Sequence, residues 1–498
     1  MTTNDFNIPQ RQNFRGILVI FMMDLVKRIR QNVYAFLPLL SSNIRNNYLD
    51  YVIIGFVALL LLQLLYSYKS YLNFKFHIEG QRFFLRQGVF KFTDTDIPFD
   101  RIQNININQN LIQQLLNVVG FEIETAGQGS AEIKIKALSR ENANALKQIL
   151  LENKAQSVAS KDEETERSPT PQTSTVLFRL NLGRLLKVGL SANYLKGFGL
   201  VFVFIMTLFQ YIEDIFSNFF EIDLEKAYFS NFSATFGVIL FFIVLIIIAS
   251  FFVTVISTIV RYFELKITQV GDDFEVEYGL FKRINQVIKK SKTQVFEIEQ
   301  NPIKDLFNIK NVYISQASSQ ELTDKKKIGL AGVTNNEIEI LFHSLFNLSY
   351  PQEFERFYSS IRYMFRLMIR YVLLSVAIGL GLLLWQGIAV GLLVFVVITA
   401  LFSFISYKTV KKSHVGLNEN VIEIHSGSIH TNKKYISTHK IQSVAIKRNW
   451  YQQRNQHADL VIYTASGSER VNYLKLEEAL NIANYLNYKV ESSVLSWI

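Results

Sequence analysis

The sequence predicts an α+β membrane protein made of three repeats, each a transmembrane helical hairpin followed by a small β-barrel or sheet with a C-terminal helix. Three observations predict it: long uncharged apolar runs at three places, a segment after each run that matches the others without a gap, and period-two alternation inside those segments. The chain has 498 residues, too many for one ordinary domain. A hydrophobic share of 49% and a charged share of 19% fit a chain of which only part lies in lipid. The absence of cysteine excludes a disulfide scaffold, an iron–sulfur site and a thiolate zinc site.

Residues 51–68 (YVIIGFVALLLLQLLYSY), 234–260 and 388–407 are the apolar runs. Each approaches or exceeds the roughly 20 residues that a spanning helix needs. Residues 197–212 pair with the second run. Residues 367–385 pair with the third through little more than Gln386 and Gly387, which permits only a tight antiparallel hairpin. Before the first run, 32–40 is apolar but short, and is expected to span or to enter the bilayer. The basic amphipathic stretch 11–30 reads as lying on the membrane surface. Its apolar part is interrupted by Asp24, Lys27, Arg28 and Arg30 with no small-residue cleavage site after it, so it does not read as a signal peptide.

Charge gives an orientation. The connection 213–233 carries Glu213, Asp214, Glu221, Asp223 and Glu225 against Lys226 alone. The opposite ends of the apolar runs are flanked by Lys69, Lys75, Arg261, Lys266, Arg362, Arg366, Arg370, Lys408, Lys411 and Lys412. Lys/Arg excess marks the cytoplasmic side. The expectation is therefore a multi-pass protein of the cell (inner) membrane with its β-rich domains cytoplasmic and the acidic loop outside. The formal net charge of +10 is explained by this bias and by attraction to anionic lipid, and no nucleic-acid partner is expected.

The repeat can be read directly. From Gly80 the chain runs GQRFFLRQGVFKFTDTDIPFDRIQNININQNLIQQLLNVVGFEIETAG, and the segment from Gly271 aligns with it at a shift of 191 residues. Gly88 then falls on Gly279, Phe90 on Phe281, Gln103 on Gln294, Leu115 on Leu306 and Asn117 on Asn308. A shift of 339 brings Gly88 onto Gly427, Arg101 onto Lys440, Ile102 onto Ile441 and Gln103 onto Gln442. Within a copy, Leu72, Phe74 and Phe76 alternate, as do Phe83 and Leu85, giving half-buried strands. A short apolar helix at 111–118 interrupts the strands. A terminal helix closes each copy, at 140–152, 336–346 and 476–488, and in the last Ala479, Ile482, Ala483 and Leu486 form one apolar face. The organisation is residues 1–70 for the amphipathic segment and first hairpin, 71–153 for the first β-rich domain and 154–176 for a disordered linker (KDEETERSPTPQTST). Then come 177–261 for the second hairpin, 262–348 for the second domain, 349–407 for the third hairpin and 408–498 for the third domain.

A helical hairpin followed by GQRFFLRQGVF, IPFDRIQNI (97–105), a leucine-rich stretch and GFEIETAG resembles the bacterial Pleckstrin-homology (PH-like) domain of YdbS/YdbT-type membrane proteins, in the three-copy form. The resemblance covers nearly all residues after about Arg11. The second copy departs with Lys289, Lys290, Ser291 and Lys292 where Pro98, Phe99, Asp100 and Arg101 stand, and the third has Arg454 and Asn455 in place of Leu115 and Leu116. The resemblance implies a PH-like split barrel with a C-terminal helix, no enzymatic activity, and partnership with a smaller one-domain PH-like membrane relative.

The candidate interaction surface is the turn Asp100, Arg101, Gln103 with its counterparts Lys292, Gln294, Lys440 and Gln442, which places a cation at one spot in every copy. The bland alternative is that Asp100 and Gln103 satisfy backbone groups at a strand entrance. Trp450 and Tyr451, flanked by Lys447 and Arg448, are candidates for membrane contact, against packing at the start of a short helix. His425, His430 and His439 lack further ligands at metal spacing and read as exposed hairpin residues. No catalytic, cofactor or metal motif is found, so no cofactor is expected. These features predict a non-enzymatic integral membrane scaffold that presents three cytoplasmic domains for protein assembly, in envelope-stress resistance. It would be a homo- or hetero-oligomer, with anionic lipid a further candidate partner. The alternative is a lipid-sensing module or an accessory subunit of a lipid or hydrophobic-substrate transporter.

Overall fold

In the third copy the strands on either side of the membrane hairpin are neighbours in one sheet. The protein was analysed as a computed structural model that describes residues 6–31, 42–125, 133–159, 174–194, 197–204, 232–317, 327–386 and 388–492. The chain divides into two units, one of residues 1–176, 267–287 and 319–324, the other of 177–266, 288–318 and 325–498. The second copy of the repeat is thus shared between them.

In the first unit, α1 (Gly16–Gln31) and α2 (Ser42–Asn73) precede β1 (Lys75–Glu79), β2 (Arg82–Gln87) and β3 (Thr93–Pro98), which form an antiparallel sheet in that order. A single 3₁₀ turn at Phe99–Arg101 leads into β4 (Ile102–Asn108), the short helix α3 (Leu111–Leu115), β5 (Val119–Thr125) and β6 (Ile133–Leu138), a second three-stranded sheet. The closing helix α4 (Arg140–Ala159) packs across both. Period-two patterning puts Phe76, Phe83, Phe99, Phe121, Ile123, Ile133 and Ile135 inside with Leu146 of α4, all fully buried. At about 2–3 kcal/mol for each large apolar side chain removed from water, this set is the main stabilising term of the first domain.

The chain before the hairpin also enters this domain. Phe6 joins the core, and Gln10 pairs with Phe76 beside β1. Next comes β7 (Ser174–Arg179); from the second copy the first unit takes a sheet in which β8 (Lys266–Val270), β9 (Asp273–Tyr278) and β10 (Ile284–Ile288) are neighbours in that order.

The second unit holds α5 (Leu182–Leu190), α6 (Phe232–Tyr262), β11 (Thr293–Gln300), α7 (Pro302–Leu306), β12 (Lys310–Gln316), β13 (Lys327–Val333) and α8 (Asn335–Phe346) from the second copy. The third copy follows with β14 (Glu355–Tyr358), α9 (Tyr363–Gln386), α10 (Ile388–Lys412), β15 (His414–Leu417), β16 (Val421–Gly427) and β17 (Thr431–Ser437). A 3₁₀ turn at Thr438–Lys440 leads to β18 (Ile441–Lys447), α11 (Trp450–Arg454), β19 (His457–Thr464), β20 (Gly467–Lys475) and α12 (Leu476–Ser492). Here a strand from before the hairpin, β14, pairs with the first strand after it, Tyr358 opposite His414. In the third copy the order is therefore strand, helical hairpin, then domain.

Each short helix begins on an asparagine whose side chain accepts a backbone N–H three residues on: Asn110, Asn301 and Asn449. Each is followed by a left-handed residue, at Asn117, Asn308 and Gln456. Among the described residues, four helices are long and apolar enough to cross a membrane, at Asp50–Asn73, Ile243–Tyr262, Tyr363–Leu380 and Gly391–Lys412. Residues 197–204 are helical; the predicted partner 32–40 and the acidic loop 213–231 lie outside the described residues.

Two expectations are corrected. The linker 154–176 is structured at both ends, because α4 continues to Ala159 and Ser174 opens β7, whose Phe178 is buried. The stretch 11–30 is not simply an interfacial helix: α1 turns Val19 onto Val118 and Ala137 of the first domain, with Ile112 and Leu116 beside them. That contact buries one face of the helix, while Leu18, Met22, Val26 and Ile29 remain exposed.

Candidate functional site

The most informative site is the joint between copies. In the second unit β11 of the second copy pairs with β17 of the third, making one seven-stranded sheet in the order β13-β12-β11-β17-β16-β15-β14. Its rungs are Phe296–Tyr435, Glu297–Lys434, Ile298–Lys433, Glu299–Asn432 and Gln300–Thr431. Phe342 of α8 covers the joint, its ring 5.7 Å from Phe296 and 5.3 Å from Tyr435, both edge-on. Charge supports the pairing: β11 presents Glu297 and Glu299 to a strand carrying Lys433 and Lys434.

The same joint occurs in the first unit in shorter form. Gln109, at the end of β4, exchanges two backbone hydrogen bonds with Arg283 at the start of β10, of 2.9 and 2.7 Å. Under the shifts that align the copies, Gln109 and Arg283 are the counterparts of Gln300 and Thr431. The side chain of Gln114 on α3 adds a clasp, donating to the carbonyl oxygens of Leu280 (3.0 Å) and Phe281 (3.3 Å) in the turn between β9 and β10 of the next copy. Lys147 of α4 lies 3.6 Å from Glu275 of β9.

The sequence-predicted turn residues lie around these joints without being equivalent in exposure. Asp100 and Arg101 are exposed, on the turn that Phe99 anchors by its fully buried ring. Lys292 is half-buried and Gln294 is buried; the side chain of Gln103 lies outside the described residues. Lys440 is only 7% exposed, and its ammonium donates to the carbonyl of Ser291 in the second copy. Burial holds its pKa below the usual lysine value. Gln442 is exposed. The cation common to all three copies is therefore a clasp in the third and an open side chain in the first.

Trp450 opens α11 and is 73% exposed, so it is not packed at the helix start; Tyr451 is half-buried. Lys447 sits 5.9 Å over the Tyr463 ring, and Arg448 donates to the carbonyls of His457 (3.2 Å) and Gln453 (3.1 Å).

Sequence reading missed a buried polar cluster beside the joint. His414 Nε2 lies 3.1 Å from Glu423 Oε1, and the Tyr435 hydroxyl donates to Glu423 Oε2 at 2.8 Å. Burial would raise the Glu423 pKa, but the hydrogen bonds from His414 and Tyr435, with Lys433 nearby, lower it to about 2. His425 is half-buried against His414, ring centroids 5.0 Å apart, rather than an exposed hairpin residue. Burial first, then His414 and Lys433, lowers its pKa to about 4. His414, Glu423 and Tyr435 come from three consecutive strands, β15, β16 and β17, and it is the register between those strands that brings them together.

Paired small antiparallel sheets closed by a terminal helix, repeated along the chain and mounted on membrane helices, define a membrane protein with PH-type domains. The chain belongs to the bacterial PH domain family, whose model matches residues 33–154, 200–348 and 367–490. It is similar to the UPF0699 transmembrane protein YdbT of Bacillus subtilis (strain 168), 22% identical over an alignment of 482 residues that covers 92% of this chain and 92% of that protein. The protein is thus a membrane protein with repeated bacterial PH domains.

Proposed function

We propose that this chain is a non-enzymatic scaffold of the inner membrane, presenting three PH-like domains at the cytoplasmic face for protein assembly, in envelope-stress resistance. One observation carries the reading. The copies meet by strand-to-strand pairing, with Phe296–Tyr435 through Gln300–Thr431 in register, so the surface these domains use for one another is a sheet edge that recognises backbone. Clamping both ends of the third hairpin by adjacent strands couples that membrane pair to its domain. The smaller one-domain PH-like relative implied by the sequence resemblance would fit such an edge.

The test is crosslinking and pull-down of the full chain from membranes, with variants across 100–118, set beside flotation with anionic vesicles. The scaffold reading expects partner capture that falls with those variants. A lipid-sensing role is the second reading, favoured by Phe90, 93% exposed beside Lys91 on a hairpin whose Gly88 carbonyl accepts from Asn73 at the end of α2. If Arg101→Ala leaves every partner in place and abolishes vesicle binding, the sensor displaces the scaffold.

A further inference from the structure

Each joint inside the chain connects the first strand of one copy's second sheet to the last strand of the next copy's first sheet. The third copy has the former strand, β18, and no copy after it in the described chain. The first copy has the latter strand, β3, which neither joint of the described chain uses. Both are edge strands among the described residues. We propose that β18 pairs antiparallel with β3 of a second copy of this chain, in the register of the internal joints. This rests on the scaffold reading and names its partner and its contact strands.

The alignment fixes the register. Carrying the rungs of the β11–β17 joint to the chain's ends places Val444 opposite Asp96, Ala445 opposite Thr95, Ile446 opposite Asp94, Lys447 opposite Thr93 and Arg448 opposite Phe92. Side chains around these rungs match what the internal joints use. Gln453 on α11 is the counterpart of Gln114, and its exposed amide would clasp the carbonyls of Val89 and Phe90 as Gln114 clasps those of Leu280 and Phe281. Arg101, exposed in this chain, is the counterpart of Lys440 and would reach the carbonyl of His439 as Lys440 reaches that of Ser291.

Charge selects the partner. Inside the chain the acidic strand is β11 and the basic strand is β17. At the ends the signs are reversed: β18 finishes in Lys447 with Arg448 directly after it, and β3 carries Asp94 and Asp96. Arg448 would lie diagonally across from Asp94 on one face, within reach of a long side chain. Two β18 strands repel one another, as do two β3 strands, and β18 also repels the basic β17. Charged edges of this kind blunt indiscriminate pairing and leave β18 with β3 as the complementary match. Asp94 and Asp96 are already flanked by Arg86 and Arg82 of β2, which hold them on the outer face of their sheet. The contact is head-to-tail, so each added chain leaves one β3 and one β18 open and assembly proceeds as a row or a closed ring.

The chain has no cysteine, so introduced thiols report without background. In the internal joint Gln300–Thr431 corresponds to the doubly hydrogen-bonded rung Gln109–Arg283, and alternation makes Glu297–Lys434 a non-hydrogen-bonded rung, the kind with the closer Cα separation, about 4.5 Å. Its counterpart is Ala445 with Thr95. Two differently tagged full-length chains, one carrying Ala445→Cys and the other Thr95→Cys, are coexpressed and their membranes oxidised with copper phenanthroline. The expected product is a disulfide-linked dimer bearing both tags, at least tenfold more abundant than when Asp94→Cys replaces Thr95→Cys, because a one-residue slip turns the thiol to the opposite face. Lys447→Glu with Arg448→Glu should cut the yield severalfold, and adding Asp94→Lys with Asp96→Lys to the partner should restore it, which misfolded variants would not do. No dimer with both tags, or equal yield from the slipped pair, overturns the proposal. If Ala445→Cys instead captures a different protein through the same edge, the second copy is the wrong partner and the scaffold reading stands. If the chain captures no protein under amine-reactive crosslinking either, both fall.

Discussion

Arg366, in the first turns of α9, places its Nη1 3.0 Å from Oδ2 of Asp459 on β19, a carboxylate only 7% exposed. Asp459 also accepts the side-chain amide of Gln452 and the backbone N–H of Tyr473 (3.0 Å). The membrane helix is thereby fastened to the third domain through a buried charge. A hairpin that merely tethered its domain would need no such bond; one that fixes the domain's orientation would.

Arg366→Ala removes the cation and leaves a buried carboxylate with two remaining donors. Losing one partner of such a pair costs about 2–3 kcal/mol, larger than the net value of the bond itself. The expected outcome is earlier thermal unfolding of the third domain in detergent, followed by limited proteolysis. Asp459→Asn, which keeps an acceptor for Tyr473, should lose less. Equal losses in the two variants would contradict the role given to the unpaired charge.

Gly427 has φ +104°, and a Cβ there would stand 2.0 Å from the carbonyl oxygen of His430. Gly427→Ala therefore forces the β16–β17 turn to move, costing on the order of 2 kcal/mol or more. Gly80, at φ +59° with nothing within 4 Å of a Cβ, should tolerate alanine far better. Comparing the two variants by hydrogen exchange in their own hairpins checks this, with faster exchange expected only around 421–437 in Gly427→Ala.

What could be read from the sequence follows from what is local in it. Gly88, Gly279 and Gly427 recur at equal places because a turn with positive φ leaves no room for a side chain, so the repeat and its sheets are visible in one dimension. The apolar runs are visible because a spanning helix must be apolar along its length. The strand before the third hairpin was not visible: Glu355–Tyr358 is four residues of mixed exposure whose partner His414–Leu417 lies beyond two membrane helices. The joint was hidden for a related reason. Lys440 looks like any surface lysine until Ser291, from another copy, is placed against it. Arg101, with the same alignment position, is exposed, so residue type alone could not rank the three cations.

Lys440→Ala deletes the clasp to Ser291 while leaving the strand rungs intact. A hydrogen bond from a charged donor contributes about 1.5–3 kcal/mol, less where the group is partly wetted. Exchange of the backbone amides of Lys292 and Thr293, which donate to Lys289 and Lys290, should quicken about tenfold, with the amides of residues 295–300 further along β11 changing much less. Unchanged exchange at these two positions would mean that the β11–β17 ladder alone holds the turn.

Acid should loosen the third domain in two stages whose signs follow from the buried cluster. His425 is neutral in the fold with its pKa lowered to about 4, so the unfolded chain takes up a proton near 6.5 that the fold refuses. Its contribution is complete above pH 6.5 and is lost as pH falls toward 4, about 2 kcal/mol once partial exposure is allowed for. Glu423, lowered from 4.5 to about 2, contributes fully above 4.5 and loses its contribution as pH falls toward 2. Thermal unfolding of the third domain in detergent should therefore drop progressively from pH 7 to 4 and more steeply below. His425→Gln should flatten the curve between 6.5 and 4.5 while leaving the steeper part in place. A variant curve that still falls across the upper window would show that His425 is not the group titrating there.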